Sequence, residues 1–333
     1  MVAAVGVLVL AFVMNAATGR GLNRAYFLAA VAFLLFILFQ IRPDVFLAWG
    51  MMDAIFLAPG VAVLLAASTL PATNSQWLYK TIYVVSASIC VAWIALHLMG
   101  VYPSLLIFPP YAGTRWVGGF DGPNEFGQFY VLIMALGFGL YLEGKIKLLY
   151  LILSTAVFAI CVWYSFSRGA LIAVAMLGAV VVFLNSLGTK RWRLLFVGAG
   201  VLAFGSVYFD RFATTFLNIR KGRGGRDDLL ERTLDAFEQN PIFGGGFGYF
   251  ASLAGPPPHS DYMYFLVSAG IIGLVILFAS YGYLLWGSYR RGMYAEFLFF
   301  FVFAVHSLSF NNLVRGRLSL IFWLVTCVAL VKF

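Results

Sequence analysis

The sequence predicts an all-α polytopic membrane protein with about 11 transmembrane helices and one long extracytoplasmic loop that contains short helices. The first observation behind this prediction is composition. Of the 333 residues, 62% are hydrophobic and 11% are charged, whereas soluble domains carry about 25% charged residues. The second is that the apolar runs approach the roughly 20 residues that a helix needs to cross a hydrocarbon core. The third is that the chain lacks the short segments of alternating polarity typical of membrane β-barrels.

We predict eleven membrane-spanning segments and interpret residues 1–333 as a single membrane domain. The first segment has no basic region before its apolar core, as a secretory signal peptide would have, and is therefore interpreted as a helix. Glycine and proline inside the segments are tolerated in membrane helices and often mark close packing. The predicted segments are 1–17, 25–41, 45–70, 80–101, 125–142, 147–165, 169–186, 193–209, 262–286, 294–312 and 317–333.

The distribution of Lys and Arg predicts the orientation, because short cytoplasmic loops carry the excess of these residues. One set of alternate loops holds eleven, namely Arg20, Arg24, Lys80, Lys145, Lys147, Lys190, Arg191, Arg193, Arg290, Arg291 and Lys332. The other set holds five, namely Arg42, Arg115, Arg168, Arg315 and Arg317. The first set is therefore predicted to be cytoplasmic, which places the N-terminus and the loop 210–261 outside. The net charge of +9 is interpreted as topology information and not as a nucleic-acid-binding surface.

The loop 210–261 is the one long polar interval of the sequence. Within it, apolar residues recur at helical spacing, and an acidic residue follows Asp228 by three positions, as in a capping box. We predict a short amphipathic helix over 228–239 that ends before Asn240-Pro241. A glycine-rich turn at 244–248 and three prolines at 256–258 then lead into His259.

Several cationic side chains are predicted to gather on the outer face. Arginine offers a planar fork of donors that matches phosphate oxygens, and histidine has a pKa suited to taking a proton from a hydroxyl. Because the sequence shows no cluster of residues at metal-ligand spacing, the pattern indicates a phosphate-bearing ligand held without a metal or cofactor. Asp261 follows His259 by two residues and can orient the ring or an acceptor. The candidate residues of the outer face are Arg115, Asn124, Arg168, Arg223, Arg226, His259, Asp261 and Arg315.

Each of these residues also has a plainer interpretation. Arg223 and Arg226 can be solvated loop charges or contacts to lipid headgroups, and a lone loop histidine such as His259 is more often structural than catalytic. Arg168 is harder to explain in this way, because it lies in a turn of about three residues at membrane depth, where charges are costly and usually functional. The three cysteines fall inside apolar segments and are interpreted as buried thiols.

Four pieces of sequence, in order, resemble the O-antigen ligase and O-antigen polymerase (Wzy-C) family of membrane proteins. The first is Arg115-Trp-Val-Gly-Gly-Phe-Asp-Gly-Pro-Asn124, similar to the element R-x-x-G-x-F-x-x-P-N, and the second is Ser167-Arg168-Gly169. The third is Gly225-Arg226 before a short helix, followed by a segment over 240–248 similar to N-P-x-x-G-x-G. The fourth begins at His259 and includes Ala269-Gly-Ile-Ile-Gly-Leu274. The resemblance covers residues 113–286.

The resemblance implies transfer of a glycan from an undecaprenyl-pyrophosphate carrier to an acceptor hydroxyl on a glycan or glycolipid. The transfer would take place at the outer face of the bacterial cytoplasmic membrane, among membrane lipids, without a metal. By position, Arg168 and Arg226 match arginines that engage the pyrophosphate, and His259 matches the loop histidine proposed as base. Arg115, Asn124, Arg223, Asp261 and Arg315 are the remaining substrate-binding candidates. Ser260 departs from the family, which often has Asn beside the histidine.

Two other functions remain open at this point. A secondary transporter of a small anion would show paired broken helices, internal repeats and ionisable groups near the bilayer midplane. The sequence shows no convincing repeat, and its candidate charges gather at one face. A non-catalytic subunit that recruits other assembly proteins would leave the outer arginines without a role.

Overall fold

A computed structural model of the chain describes residues 76–100, 116–117, 120, 122–186, 226–250, 260–308, 313 and 318–332, together with positions 30, 31, 34 and 61. The regular structure in these ranges consists of eight helices of 13 residues or more. The all-α prediction is therefore confirmed for this part of the chain. The predicted spans 1–17 and 193–209 lie outside the described residues, as do 25–41 and 45–70 except for single positions.

Seven of the eight helices lie at predicted spans, and the eighth, α5, lies in the predicted loop 210–261. Four are long and apolar enough to cross a membrane, namely Trp77–Leu98, Pro123–Leu142, Leu148–Ser165 and Asp261–Arg290. The chain is therefore a multi-pass membrane protein. In order, the helices are α1 (Gln76–Leu98), α2 (Pro123–Leu142), α3 (Leu148–Ser165), α4 (Arg168–Ser186), α5 (Arg226–Gln239), α6 (Asp261–Arg290), α7 (Tyr294–His306) and α8 (Leu318–Lys332).

The predicted span 294–312 is wrong at its C-terminal end. Helix α7 ends at His306, and a turn follows at 307–308. The carbonyl oxygen of Ser307 accepts hydrogen bonds from the Asp261 N–H at 2.9 Å and from the Ser260 hydroxyl at 3.0 Å. This carbonyl is therefore directed at the start of α6 and away from a continuing helix.

The chain divides into two compact units. The first contains α1 to α4 and α7, arranged around α2, which packs against each of the other four helices. Most of α2 is buried, and two of its glycines allow close approach: Gly137 lies against the ring of Tyr83, and Gly139 lies against the Ala295 backbone. Helix α2 is thus the central helix of this unit.

The cysteines are buried free thiols, as the sequence predicted. Cys90 on α1 and Cys161 on α3 place their sulfur atoms 3.2 Å apart inside the first unit. Elsewhere α1 and α3 expose large apolar side chains, among them Val84, Val85, Leu149 and Leu153. Both helices therefore present one packed side and one apolar side of the kind that faces lipid.

The second unit contains α5, α6 as far as Ser288, and α8. Helix α5 begins at Arg226, two residues before the predicted cap, so Asp228 lies inside the helix and not at its cap. Its buried positions are Thr233 and Ala236, with Phe237 packed against them, whereas Leu234 is 44% exposed. The amphipathic helix is thus confirmed, and Phe237 lies on its packed face.

Candidate functional site

The first turns of α2 pack directly against the turn that joins α3 to α4. A Cβ placed on Gly127 would collide with the Ser165 side chain and come within 3.1 Å of the Ala170 Cβ. Glycine at position 127 is therefore what allows the two segments to touch. We name this region, formed by Asn124 to Gln128 and Ser165 to Arg168, the α2–α4 corner.

The α2–α4 corner is a polar region inside an apolar bundle. Glu125 and Gln128 on α2 are only 2% and 1% exposed, and Ser165 and Ser167 are also buried. Asn124 and Arg168 are half-buried. Because buried polar groups in a membrane segment are costly and usually functional, this concentration marks a candidate site.

Arg168 occupies an unusual electrostatic position as the first residue of α4. The Ser167 hydroxyl accepts the Ala170 N–H at 3.3 Å, which caps the helix start. A helix N-terminus carries partial positive charge, so a cation there is unfavourable by about 0.3–1 kcal/mol. An anion bound at this point would be attracted by both the guanidinium and the helix end.

The backbone before Arg168 is strained. Phe166 has φ 50° and ψ 31°, a left-handed conformation that non-glycine residues rarely adopt. Such outliers cost of order 1–3 kcal/mol and occur most often at functional sites. The left-handed conformation of Phe166 ends α3 and allows α4 to begin at Arg168, two residues later.

Aromatic rings form one wall of the first unit next to this turn. Trp116 stacks on Tyr164 with ring centroids 4.4 Å apart, and its backbone N–H donates to the Tyr164 carbonyl at 2.9 Å. His97, near the end of α1, lies 5.0 Å from Trp116 and 5.1 Å from Tyr164 between ring centroids. These contacts fix Trp116 against the C-terminal end of α3.

In the second unit, α6 is broken at Gly270, which has φ 65° and ψ −162°. The N–H groups of Ile271 and Ile272 donate to the carbonyls of Pro241 and Ile242, at 2.9 and 3.4 Å. In return, the Val267 and Ser268 carbonyls accept the N–H groups of Gly245 and Gly246, both at 2.9 Å. The segment 241–246 thus pairs the backbone groups that the break leaves free. We name residues 241–246 and 267–272 together the α6 break.

Two glycines make the α6 break possible. A Cβ on Gly270 would collide with the Ile242 carbonyl, and a Cβ on Gly244 would collide with the Ser268 backbone. Both residues also have positive φ, 65° and 71°. Two of the family-like pieces therefore pair with each other. One is the segment over 240–248, which resembles N-P-x-x-G-x-G, and the other is Ala269-Gly-Ile-Ile-Gly-Leu274 in α6.

The α6 break also receives α5. Ala236 and Phe237 of α5 pack with Tyr249, Phe250 and Val267 in one buried cluster. The Tyr249 hydroxyl donates to Gln239 Oε1 at 2.6 Å. The helix that begins at Arg226 is therefore attached to the break by side-chain packing and by the turn that follows it.

The start of α6 is held by Asp261, which is fully buried. Its two carboxylate oxygens accept the Leu313 N–H at 3.1 and 3.2 Å. The carboxylate lies in the first turn of its own helix, where negative charge is favoured. Ser260, at the position where the family often has Asn, donates to Ser307. These residues tie α6 to the segment after α7.

The structure places some of the predicted site residues, and others lie outside the described ranges. Asn124 lies in the first turn of α2 and Arg168 is the first residue of α4, both in the first unit, and Asp261 lies at the start of α6 in the second unit. Arg226 is the first residue of α5. Arg115, Arg223, His259 and Arg315 lie outside the described residues, so their predicted roles stay predictions. Among the described residues, no group of three His, Cys, Asp or Glu is placed to hold a metal ion.

Sequence reasoning missed two residues of the first unit, namely His97 and Gln128. Gln128 had a usable signal, because it is a polar residue inside a predicted membrane span and such residues are usually functional. His97 had no local signal, because its neighbours Trp116 and Tyr164 are distant in the sequence.

Known proteins match part of this chain. The O-antigen ligase family (Wzy_C) matches residues 149–278, which run from α3 into α6 and include Arg168, Arg226 and the α6 break. An O-antigen polymerase of Salmonella muenchen is 26% identical over 253 residues, covering 66% of this chain and 61% of that protein. This chain therefore spans less than two thirds of that relative's length. The matches confirm the resemblance of this chain to the O-antigen ligase and O-antigen polymerase (Wzy-C) family.

Proposed function

We propose that this protein transfers a glycan from an undecaprenyl-pyrophosphate carrier to a sugar hydroxyl of an acceptor glycan or glycolipid. The observation that carries the proposal is Arg168, a half-buried arginine at a capped helix N-terminus in a polar corner of a membrane bundle. Such an arrangement favours a phosphate-bearing ligand. The family match supports a lipid-linked glycan as the source of that phosphate.

In the proposed reaction the acceptor hydroxyl oxygen attacks the anomeric carbon of the carrier-linked sugar. A new carbon–oxygen bond forms as the bond between that carbon and the pyrophosphate oxygen breaks. The hydroxyl proton passes to His259, and undecaprenyl pyrophosphate leaves with the bonding electrons. Arg168 and Arg226 stabilise the negative charge that develops on the pyrophosphate, a role that in other enzymes a metal ion can fill.

The remaining sequence candidates take binding roles in this proposal. Arg115, Arg223 and Arg315 contribute to the positive surface that attracts the pyrophosphate, and Asn124 and Asp261 assist in positioning substrates. The reaction takes place at the outer face of the bacterial cytoplasmic membrane, as the Lys and Arg distribution indicates. Both an O-antigen polymerase and an O-antigen ligase fit this chemistry, since they differ in the acceptor and not in the donor.

The broken helix α6 is one observation that favours the alternative of a small-anion transporter, because transporters often bind their cargo at such breaks. In those proteins, unwound carbonyls coordinate the coupling ions. Here, however, the Val267 and Ser268 carbonyls already accept hydrogen bonds from Gly245 and Gly246. The break is thus filled by the chain itself, which supports the transferase over the transporter.

The test uses purified protein in nanodiscs with a lipid-pyrophosphate-linked oligosaccharide. Mass spectrometry follows release of undecaprenyl pyrophosphate and glycan length. Wild type is compared with Arg168→Ala, Arg226→Ala and His259→Ala, and Arg290→Ala, an exposed arginine at the other end of α6, is the matched control. We expect turnover in wild type and the control, and a loss of about a hundredfold or more in each of the three variants.

The products separate the possible outcomes. A ladder of longer lipid-linked glycans indicates a polymerase, and carrier release that requires an added acceptor indicates a ligase. Turnover that survives in all three variants would contradict the assigned residues. Absence of turnover by folded wild type with every donor and acceptor tried would contradict the transferase itself and favour the transporter.

A further inference from the structure

Gln128 is a buried amide whose carbonyl oxygen is not used. It lies on α2 at 1% exposure, and its Oε1 accepts no hydrogen bond from any of the described residues. A buried acceptor left in this state costs about 1–3 kcal/mol. A ligand hydroxyl at this position would supply the missing donor.

The neighbours of Gln128 form a continuous polar surface on α2. Residues at i, i+3 and i+4 lie on the same side of a helix, so Asn124, Glu125 and Gln128 share one side of α2. The close contact of Gly127 with Ser165 and Ala170 brings this end of α2 against the turn that carries Arg168. The surface runs from half-buried Asn124, beside that turn, to fully buried Gln128.

Charge decides which ligand fits this surface. Arg168 at the helix start attracts phosphate, whereas the carboxylate of Glu125 repels a second anion. Carboxylate and amide oxygens accept hydrogen bonds from hydroxyls, and amide N–H groups donate to them. The group that fits beside Glu125 and Gln128 is therefore neutral and rich in hydroxyls.

We propose that Asn124, Glu125 and Gln128 form a subsite for the hydroxyl groups of the sugar attached to the pyrophosphate carrier. The inference rests on the proposed function, since it assigns the sugar to α2 and the pyrophosphate to Arg168. Hydroxyls of the bound sugar donate to Gln128 Oε1 and to Glu125. The subsite thereby distinguishes a loaded carrier from the bare carrier that remains after transfer.

The test measures affinity for two probes in nanodiscs, a lipid-pyrophosphate-linked oligosaccharide and undecaprenyl pyrophosphate without sugar. Gln128→Met removes the amide at nearly constant volume. We expect this variant to bind the loaded carrier about tenfold more weakly, the equivalent of one lost hydrogen bond, and the bare carrier within about twofold of wild type. Glu125→Gln is expected to lower the ratio of loaded-carrier to bare-carrier affinity, because the repulsion of a second anion is removed.

Thermal stability distinguishes a binding role from a structural one. If Gln128 serves a ligand, Gln128→Met removes an unsatisfied polar group from the empty protein and raises the melting temperature while affinity falls. Thr326→Val is the matched control, because the Thr326 hydroxyl is also buried without a hydrogen-bond partner among the described residues but lies on α8. It is expected to leave both affinities unchanged.

Three results would overturn the inference. The first is a lower melting temperature for Gln128→Met with unchanged affinities, and the second is an equal loss for both probes. The third is an unchanged preference for the loaded carrier in both variants. By contrast, failure of folded wild type to bind either probe would overturn the proposed function itself, which Arg168→Ala tests separately with the bare carrier.

Discussion

The α2–α4 corner and the α6 break both join sequence pieces typical of the family, but they do so with different parts of the chain. At the corner the contacts involve side chains: Gly127 meets Ser165 and Ala170, and the polar groups belong to Glu125, Gln128 and Arg168. At the break the contacts involve the backbone, through four N–H to carbonyl hydrogen bonds. The side chains at the tip of the inserted turn, Ile242 and Phe243, are each 56% exposed.

This difference shows that residues which all belong to family-like motifs can have different physical roles. Glycine at the α6 break is required by backbone geometry, so a substitution there acts on folding. In our proposal the polar residues at the α2–α4 corner act through their chemical groups, so a substitution there is expected to weaken binding and to leave the fold largely intact. Substitutions in the two regions should therefore separate in a plot of activity against stability.

The largest effect is expected from Gly270→Ala. The added Cβ meets the Ile242 carbonyl, and the conformation at φ 65° and ψ −162° is one that essentially only glycine adopts. Strain and the weakening of the four hydrogen bonds together cost more than about 3 kcal/mol. We expect a melting temperature too low for recovery of folded protein, measured by thermal unfolding in detergent.

Gly282→Ala, in the same helix, is the matched control for this prediction. A Cβ at that position meets nothing within 4 Å, so the substitution is expected to stabilise α6 by about 0.5–1 kcal/mol. Phe243→Leu tests whether the side chains of the inserted turn matter less than its backbone. Phe243 is more than half exposed, so the substitution should change stability by less than about 0.5 kcal/mol. Wild-type stability of Gly270→Ala would show that the break is not required.

The next effect concerns activity at the α2–α4 corner. Arg168→Lys keeps the positive charge but loses the planar fork that binds two phosphate oxygens at once. We expect turnover of the lipid-linked donor to fall at least about tenfold while the melting temperature changes little. Turnover equal to wild type would show that only the charge of Arg168 matters and that the helix start does not orient the pyrophosphate.

A third effect tests the anchor at the start of α6. Asp261→Ala removes the acceptor for the Leu313 N–H inside a fully buried site, and loss of such an acceptor destabilises by about 1–3 kcal/mol. Asp261→Asn keeps one acceptor oxygen and should lose less stability than Asp261→Ala. Ser280→Ala, an exposed hydroxyl bonded within the same helix, is the control expected to change nothing. If Asp261→Ala lost activity at unchanged stability, a direct role toward substrate would be favoured instead.

A feature of the fold or the site could be predicted from the sequence when neighbouring residues determine it, and not when distant residues complete it. The positions of the helices followed from apolar runs, which act locally, and seven predicted spans coincide with helices. The helix over 226–239 followed from its periodicity. The partners of its packed face could not be predicted in this way, because the neighbouring cluster includes Tyr249 and Val267, which no local pattern connects to α5.

The features that could not be predicted are those completed by distant residues. Gly270 was interpreted as a packing glycine, since a break in a membrane helix is stable only if other groups pair its backbone. Those groups come from 241–246, 22 to 30 positions earlier in the chain than their partners. In the same way, Asp261 pairs with Leu313, 52 residues away. The arginines could be named as candidates by residue type alone, but the contact of α2 with the turn before Arg168 depends on packing between distant residues.

The smallest effect is expected from Gly127→Ala, which tests whether the corner is indeed a side-chain contact. The three atoms nearest the new Cβ belong to the Ser165 and Ala170 side chains, so the neighbours can shift, and we expect a loss of stability near the lower end of overpacking, about 1 kcal/mol. Ser165→Ala in addition removes the hydroxyl that lies nearest and should recover part of that loss in thermal unfolding. At the α6 break no such rescue is available, because the obstacle to Gly244→Ala is the Ser268 backbone. A Gly127→Ala loss as large as that of Gly270→Ala, without recovery in the double variant, would show that the corner is as rigid as the break.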